Sequence, residues 1–116
     1  MTIALFSDIH ANLRALEAFF ASVETRHPDA WYCLGDLVGY HLQPNVVIQA
    51  ITSRRIPTIA GNHDAKVQNL KPADLVATSG KNYVHSLIGE SEKVYLAGLE
   101  ESPLPAEFAD MLRKAY

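Results

Sequence analysis

The chain has 116 residues, 48% of them hydrophobic and 20% charged, which is the composition of one ordinary folded domain and excludes a disordered or fibrous segment. Lys and Arg total 10 against 13 Asp and Glu, a formal net charge of −3, so there is no basic footprint for nucleic acid and none is expected as a bulk partner. The N-terminus lacks a basic leader region and no apolar stretch approaches membrane-spanning length, so the chain reads as cytoplasmic, with no membrane partner.

The first element predicted is a strand over 3–6, an apolar run without polar alternation that reads as covered on both faces. A helix follows, because Leu13, Leu16, Phe20 and Val23 recur at steps of three and four and Pro28 forbids its continuation. A second strand is expected over 30–34. It holds the lone Cys33, which reads as a buried strand thiol and is assigned no chemistry. A second helix starts where Pro44 suits a first turn, with Val47, Ile48 and Ile51 at helical spacing. The run 56–60 completes the pattern as a third strand. After Asp64 the signal weakens to two helices, over 79–88 and 91–99, and a loop broken by Pro103 and Pro105. Strand, helix, strand, helix, strand makes two βαβ units, hence an α/β fold: a βαβαβ parallel sheet with flanking helices, in a single domain over 1–116.

In such a sheet ligands collect beyond the carboxyl ends of the strands. Here strand one is followed by Ser7, Asp8 and His10, strand two by Gly35 and Asp36, and strand three by Gly61, Asn62, His63 and Asp64. A single Asp in such a place is ordinarily a helix cap. Carboxylates, an imidazole and an amide brought to one edge with no Lys or Arg among them would repel each other unless cations fill the space. Those donors suit Mn²⁺, Fe or Zn²⁺ better than a thiolate zinc site. Asp36, on the middle strand, could lend an oxygen to each of two ions, and paired ions about 3.5–4 Å apart are apparatus for attack on phosphorus. Phosphoester hydrolysis is the chemistry this suggests.

The motifs "SDIH" at 7–10, "LGDLVGY" at 34–40 and "AGNHD" at 60–64, in that order, resemble the calcineurin-like metallophosphoesterase superfamily. The longer stretches "SDIHANLRALEAF", "CLGDLVGY", "PN" at 44–45 and "GNHDAKV" look like its small bacterial branch, labelled YfcE-like or diadenosine-tetraphosphatase-like. The resemblance implies that Asp8 and His10 bind a first metal, that Asp36 bridges, and that Asn62 binds a second. It makes His63 the group that steadies transition-state charge or protonates the leaving oxygen, with Asp64 orienting its imidazole.

The match runs strongly over 2–70 and weakly to Leu99, the N-terminal half of the family's pattern. The family's later ligands, a His at a strand end and a Gly-His-x-His, have no counterpart; His85 reads as a surface or packing residue, and His27 and His41 as structural or exposed. One ion is therefore expected to bind well and a second weakly. The family fold is a two-sheet sandwich, so the strands here are expected to leave one apolar sheet face open, to be covered by a homodimer, the later helices or a complementary chain. The function expected is a divalent-metal phosphoesterase acting on a phosphomonoester or diester. The alternative is a catalytically incomplete remnant that serves as a binding or interaction module.

Overall fold

The computed structural model describes residues 1–67 and 83–100. It is an α/β fold: strand β1 (Ile3–Phe6), helix α1 (Leu13–Glu24), strand β2 (Ala30–Cys33), helix α2 (Pro44–Ser53), then three shorter helices, α3 (Asn62–Val67), α4 (Tyr83–Ser86) and α5 (Glu90–Ala97). β1 and β2 pair in parallel with Ile3 opposite Ala30 and Phe6 opposite Cys33.

The third run forms no regular strand. It makes a single parallel bridge, Thr58 with Cys33, in which the Cys33 N–H donates to the Pro57 carbonyl and the Ile59 N–H to the Cys33 carbonyl. Pro57 explains the shortfall: it has no N–H to contribute to a ladder with β2. The segment still runs beside β2, and on leaving it the Ala60 N–H donates to the carbonyl of Glu100 at 2.8 Å.

α1 is capped by Asn12, whose side chain accepts from the Ala15 N–H, and turns Leu16 and Phe20 into the core. Phe6, Phe19, Phe20 and Trp31 form one cluster of tilted and edge-on rings, with Phe6 and Phe19 centroids 4.9 Å apart. Arg54 lies 3.9 Å over the Phe20 ring and pairs with Glu24, tying the end of α2 to the end of α1. α2 has Pro44 in its first turn and buries Val47, Ile48 and Ile51.

The helices after residue 82 share this core, with Ile88 and Leu96 buried among the same residues. Asn45 fastens them: its side-chain nitrogen donates to the Leu87 carbonyl, and its oxygen accepts from the Gly89 N–H at 2.7 Å. Of the helix expected over 79–88, the part from Tyr83 is described and is helical to Ser86, and that expected over 91–99 is α5. Residues 79–82 and the expected proline-broken loop beyond Glu100 lie outside the described residues.

The strands are not covered on both faces as expected. β1 alternates, with Ala4 and Phe6 buried but Ile3 and Leu5 at 49% and 36% exposure, and Tyr32 on β2 reaches 43%. Leu5 and Tyr32 are partners across the ladder, so their exposed side chains form one apolar patch on a single face of the sheet. On the other face Phe6 packs against Phe19 and Phe20 of α1.

Candidate metal centre

The loops after β1 and β2 lie side by side. The N–H groups of Asp8, His10 and Ala11 donate to the carbonyls of Gly35, Asp36 and Leu37 at 3.1, 3.0 and 2.7 Å. Asp8, His10 and Asp36 all have left-handed backbones, with φ of 61°, 48° and 57°. Non-glycine residues rarely adopt that conformation, and it persists where surrounding hydrogen bonds over-determine it. Gly35, at φ 94°, has to be glycine for a second reason: a Cβ there would collide with the backbone of Ile59 and Gly61. That close approach brings the third loop against the first two.

Asp64 joins the three loops. It is fully buried, and its carboxylate accepts from the N–H groups of Asp36 at 2.7 Å, Leu37 at 2.9 Å and Gly61 at 2.9 Å. Burial pushes its carboxyl up from the usual range, and those three N–H groups oppose the shift. These contacts differ in kind from the one expected of it: Asp64 holds the backbone of the loops, where it was expected to orient an imidazole. α3 begins at this point, with Asp64 in its first turn where a carboxylate is favoured.

The donor atoms converge. Asp8, His10 and Asp36 each offer one atom, and these atoms lie within 4.8 Å of one another. The Nδ1 of His10 lies 2.9 Å from the Val38 carbonyl, a contact that only an N–H can make, so in the neutral imidazole the lone pair is left on Nε2. That nitrogen stands 3.3 Å from Oδ1 of Asp8, while the second oxygen of Asp8 accepts from the Ser7 hydroxyl at 2.5 Å. Asp36 is buried at 2% exposure, and its Oδ1 accepts from the His63 N–H at 3.0 Å.

The side-chain amide of Asn62 lies against the same carboxylate. Its amide nitrogen donates to the two oxygens of Asp36 at 3.0 and 3.1 Å. Carboxylate, imidazole and amide oxygen are the donors that divalent ions such as Mn²⁺, Fe²⁺ and Zn²⁺ accept, so the residues fit such an ion.

His63 packs beside the cluster, its ring 4.8 Å from that of His10 and 4.9 Å from that of Tyr40. Its Nδ1 is buried without a hydrogen-bond partner. Burial holds its imidazole below the ordinary histidine range, with Asp36 pulling the other way. Gly39, at φ 90°, makes room for this ring, since a Cβ there would lie 2.8 Å from Nδ1. His85, read as surface or packing, is a packing residue at 6% exposure. Sequence reasoning gave Tyr40 no role of its own, yet its ring stacks edge-on against His10 at 4.8 Å. The signal available was an aromatic residue at the end of "LGDLVGY", directly after Gly39 and four residues beyond Asp36.

The loops at the carboxyl ends of this parallel α/β sheet gather Asp8, His10 and Asp36 into a group that could hold a metal ion. The family model described as "Calcineurin-like phosphoesterase" matches residues 1–110, and the chain belongs to that family. The chain is similar to a metallophosphoesterase from Sphaerobacter thermophilus, whose crystal structure aligns with a TM-score of 0.72 at 28% identity over 90% of this chain and 44% of that one. A second solved structure, of a proposed diadenosine tetraphosphatase, aligns with a TM-score of 0.64 at 26% identity, covering 84% of this chain and 42% of its own. Among curated proteins, "Uncharacterized protein MJ0912" of Methanocaldococcus jannaschii is 39% identical over 72 residues, 62% of this chain and 30% of that protein. The chain thus spans less than half the length of these relatives.

Proposed function

We propose that the chain carries a phosphoesterase centre that holds a divalent ion and hydrolyses a small phosphomonoester or phosphodiester. The observation that carries this reading is the meeting of Asp8, His10 and Asp36 donor atoms within 4.8 Å at the ends of two parallel strands. Asp8 and His10 would hold the first ion, Asp36 would be shared, and Asn62 would reach a second. Mn²⁺, Fe or Zn²⁺ fits these donors. When bound, such an ion supplies positive charge at the phosphoryl oxygens and a more acidic water.

The residues of the chain supply the rest. Val38 fixes the His10 tautomer so that Nε2 points its lone pair into the cluster. Asp64 keeps three loops in register through backbone N–H groups, so it acts as a positioning residue. His63, kept neutral by burial, donates a hydrogen bond to charge developing on the phosphoryl or leaving oxygen. A cytoplasmic setting belongs to this reading.

A second reading is favoured by one specific feature. The sequence holds no Gly-His-x-His, and among the described residues Asp36 and Asn62 are the ones this reading offers to the second ion position. On that reading the domain binds without catalysing, or is completed by another chain. A homodimer or a complementary chain covering the patch at Ile3, Leu5 and Tyr32 is part of the same proposal.

The test is hydrolysis of bis-p-nitrophenyl phosphate by the purified chain with added Mn²⁺, beside Asp36→Asn. Turnover lost in the variant supports the catalytic reading; turnover unaffected by it removes the proposed site. Metal uptake without turnover selects the binding reading.

A further inference from the structure

We propose that a cleft beside the metal-ligand cluster takes an uncharged planar aromatic group carried by the phosphoester, and so sets which esters the site accepts. The proposal rests on the phosphoesterase reading for the ester, and on the cleft itself for the ring. The cleft has a volume of about 500 Å³, within the range of roughly 300–1,000 Å³ usual for small-molecule sites and far more than a phosphate group occupies. Asp8 and His10 line it, and both also belong to the donor cluster, so an ester whose phosphate meets the cluster has its organic group directed into the cleft.

The walls define what that group is. Leu16 and Phe19 of α1 form one side, and Phe6 of β1 and Tyr40 also line it. Phe19 is held by ring contacts to Phe6 at 4.9 Å and Trp31 at 6.1 Å, so this wall is set before any ligand arrives. Tyr40 is 69% exposed while its ring packs edge-on to His10, which leaves aromatic surface bare beside the cluster. Rings packing against rings gain from stacking beyond simple area burial. Among the described residues that line it there is no Lys or Arg, so those walls offer a second phosphate no guanidinium or ammonium, whereas an uncharged ring does not need one.

The test compares two phosphonates of equal charge that cannot be hydrolysed, 1-naphthylmethylphosphonate and methylphosphonate, by calorimetric titration of the Mn²⁺-supplemented protein. The naphthyl compound is expected to bind about tenfold more tightly or better, the gain from burying one ring system. Ala15→Phe, at an exposed position on the cleft wall, is expected to bring the two constants together while leaving methylphosphonate unchanged, and Tyr40→Ala to reduce the naphthyl compound's advantage. Equal constants in the parent, or a preference that survives both variants, overturns the proposal.

Titration of the metal-free protein with uncharged 1-naphthol, followed by NMR at Phe19 and Tyr40, separates the cleft from the metal chemistry. Shifts at those rings in a protein that takes up no metal would end the phosphoesterase reading and keep the cleft; no shifts would end the cleft proposal whatever the metal does. Adenosine shifting the same rings would assign the group to a nucleobase, and shifts from naphthol alone to a carbocyclic ring.

Discussion

Asp64 and His63 are neighbours in sequence and opposites in consequence. The Asp64 carboxylate is surrounded by backbone donors, two of them, from Asp36 and Gly61, on the same oxygen. Asp64→Asn would leave at least one N–H facing an amide nitrogen in a buried place, so a loss of about 1–3 kcal/mol is expected by urea denaturation, together with weaker Mn²⁺ uptake. His63→Ala removes a ring that holds no ion in this arrangement; it is expected to slow turnover while leaving Mn²⁺ stoichiometry unchanged, and loss of the ion in that variant would contradict the role given to His63. Cys33 offers a pH test. Burial raises its thiol from 9.0 to about 12, so the native protein should resist Ellman's reagent at pH 8 and react once unfolded in guanidinium. A group that keeps its proton longer when folded adds stability that is intact below pH 9.0 and drains away as pH climbs toward about 12. Reversible denaturation across that window is expected to show the decline in the parent and less of it in Cys33→Ala.

At the scale of elements, the helices were the most legible part. Apolar spacing alone marks the stripe of α1 and the buried side of α2, because a helix repeats its core contacts over several turns. The third strand was over-read: an apolar run of five residues carries no information on ladder length, and Pro57 restricts it to one bridge. α3 was not foreseen, since six residues are too few for a period to show. The meeting of Asp8 and Asp36 was legible because strand ends in a parallel sheet fall on one edge. The contacts of Asp64 were not, because they are made to backbone N–H groups of residues 27 and 28 positions away, which no side-chain pattern records. Gly61 shows the same limit. A Cβ there would run into the Asp36 carboxylate, so Gly61→Ala is expected to weaken Mn²⁺ binding by displacing that carboxylate, measured by calorimetry beside an intact circular dichroism spectrum. Asn45 belongs to this scale too, as the clasp between α2 and the segment ahead of α5. Asn45→Ala strands the Gly89 N–H and the Leu87 carbonyl; a cost of about 1–3 kcal/mol and faster amide exchange over 83–97 are expected.

For the whole molecule, one side of the sheet is packed and the other presents Ile3, Leu5 and Tyr32. The chain covers 44% of the Sphaerobacter thermophilus enzyme's length, so more than half of that protein has no counterpart in the aligned region. If a second copy covers the patch, the protein will elute as a dimer, and Leu5→Glu with Tyr32→Glu will make it a monomer without loss of helix signal. A parent that is already monomeric at tens of micromolar would rule out the homodimer. The Asp8, His10 and Asp36 donors lie at the end of the strands, so Mn²⁺ binding by the monomeric variant is expected to match the parent's unless the partner lends a ligand.

The central claim is that Asp8, His10 and Asp36 surround a cation, and it is tested most directly by a crystal grown with Mn²⁺ and measured at the manganese absorption edge. An anomalous peak is expected about 2.0–2.3 Å from a carboxylate oxygen of Asp8, a carboxylate oxygen of Asp36 and Nε2 of His10. A map with no peak there, or with the manganese held elsewhere by other side chains, would contradict it.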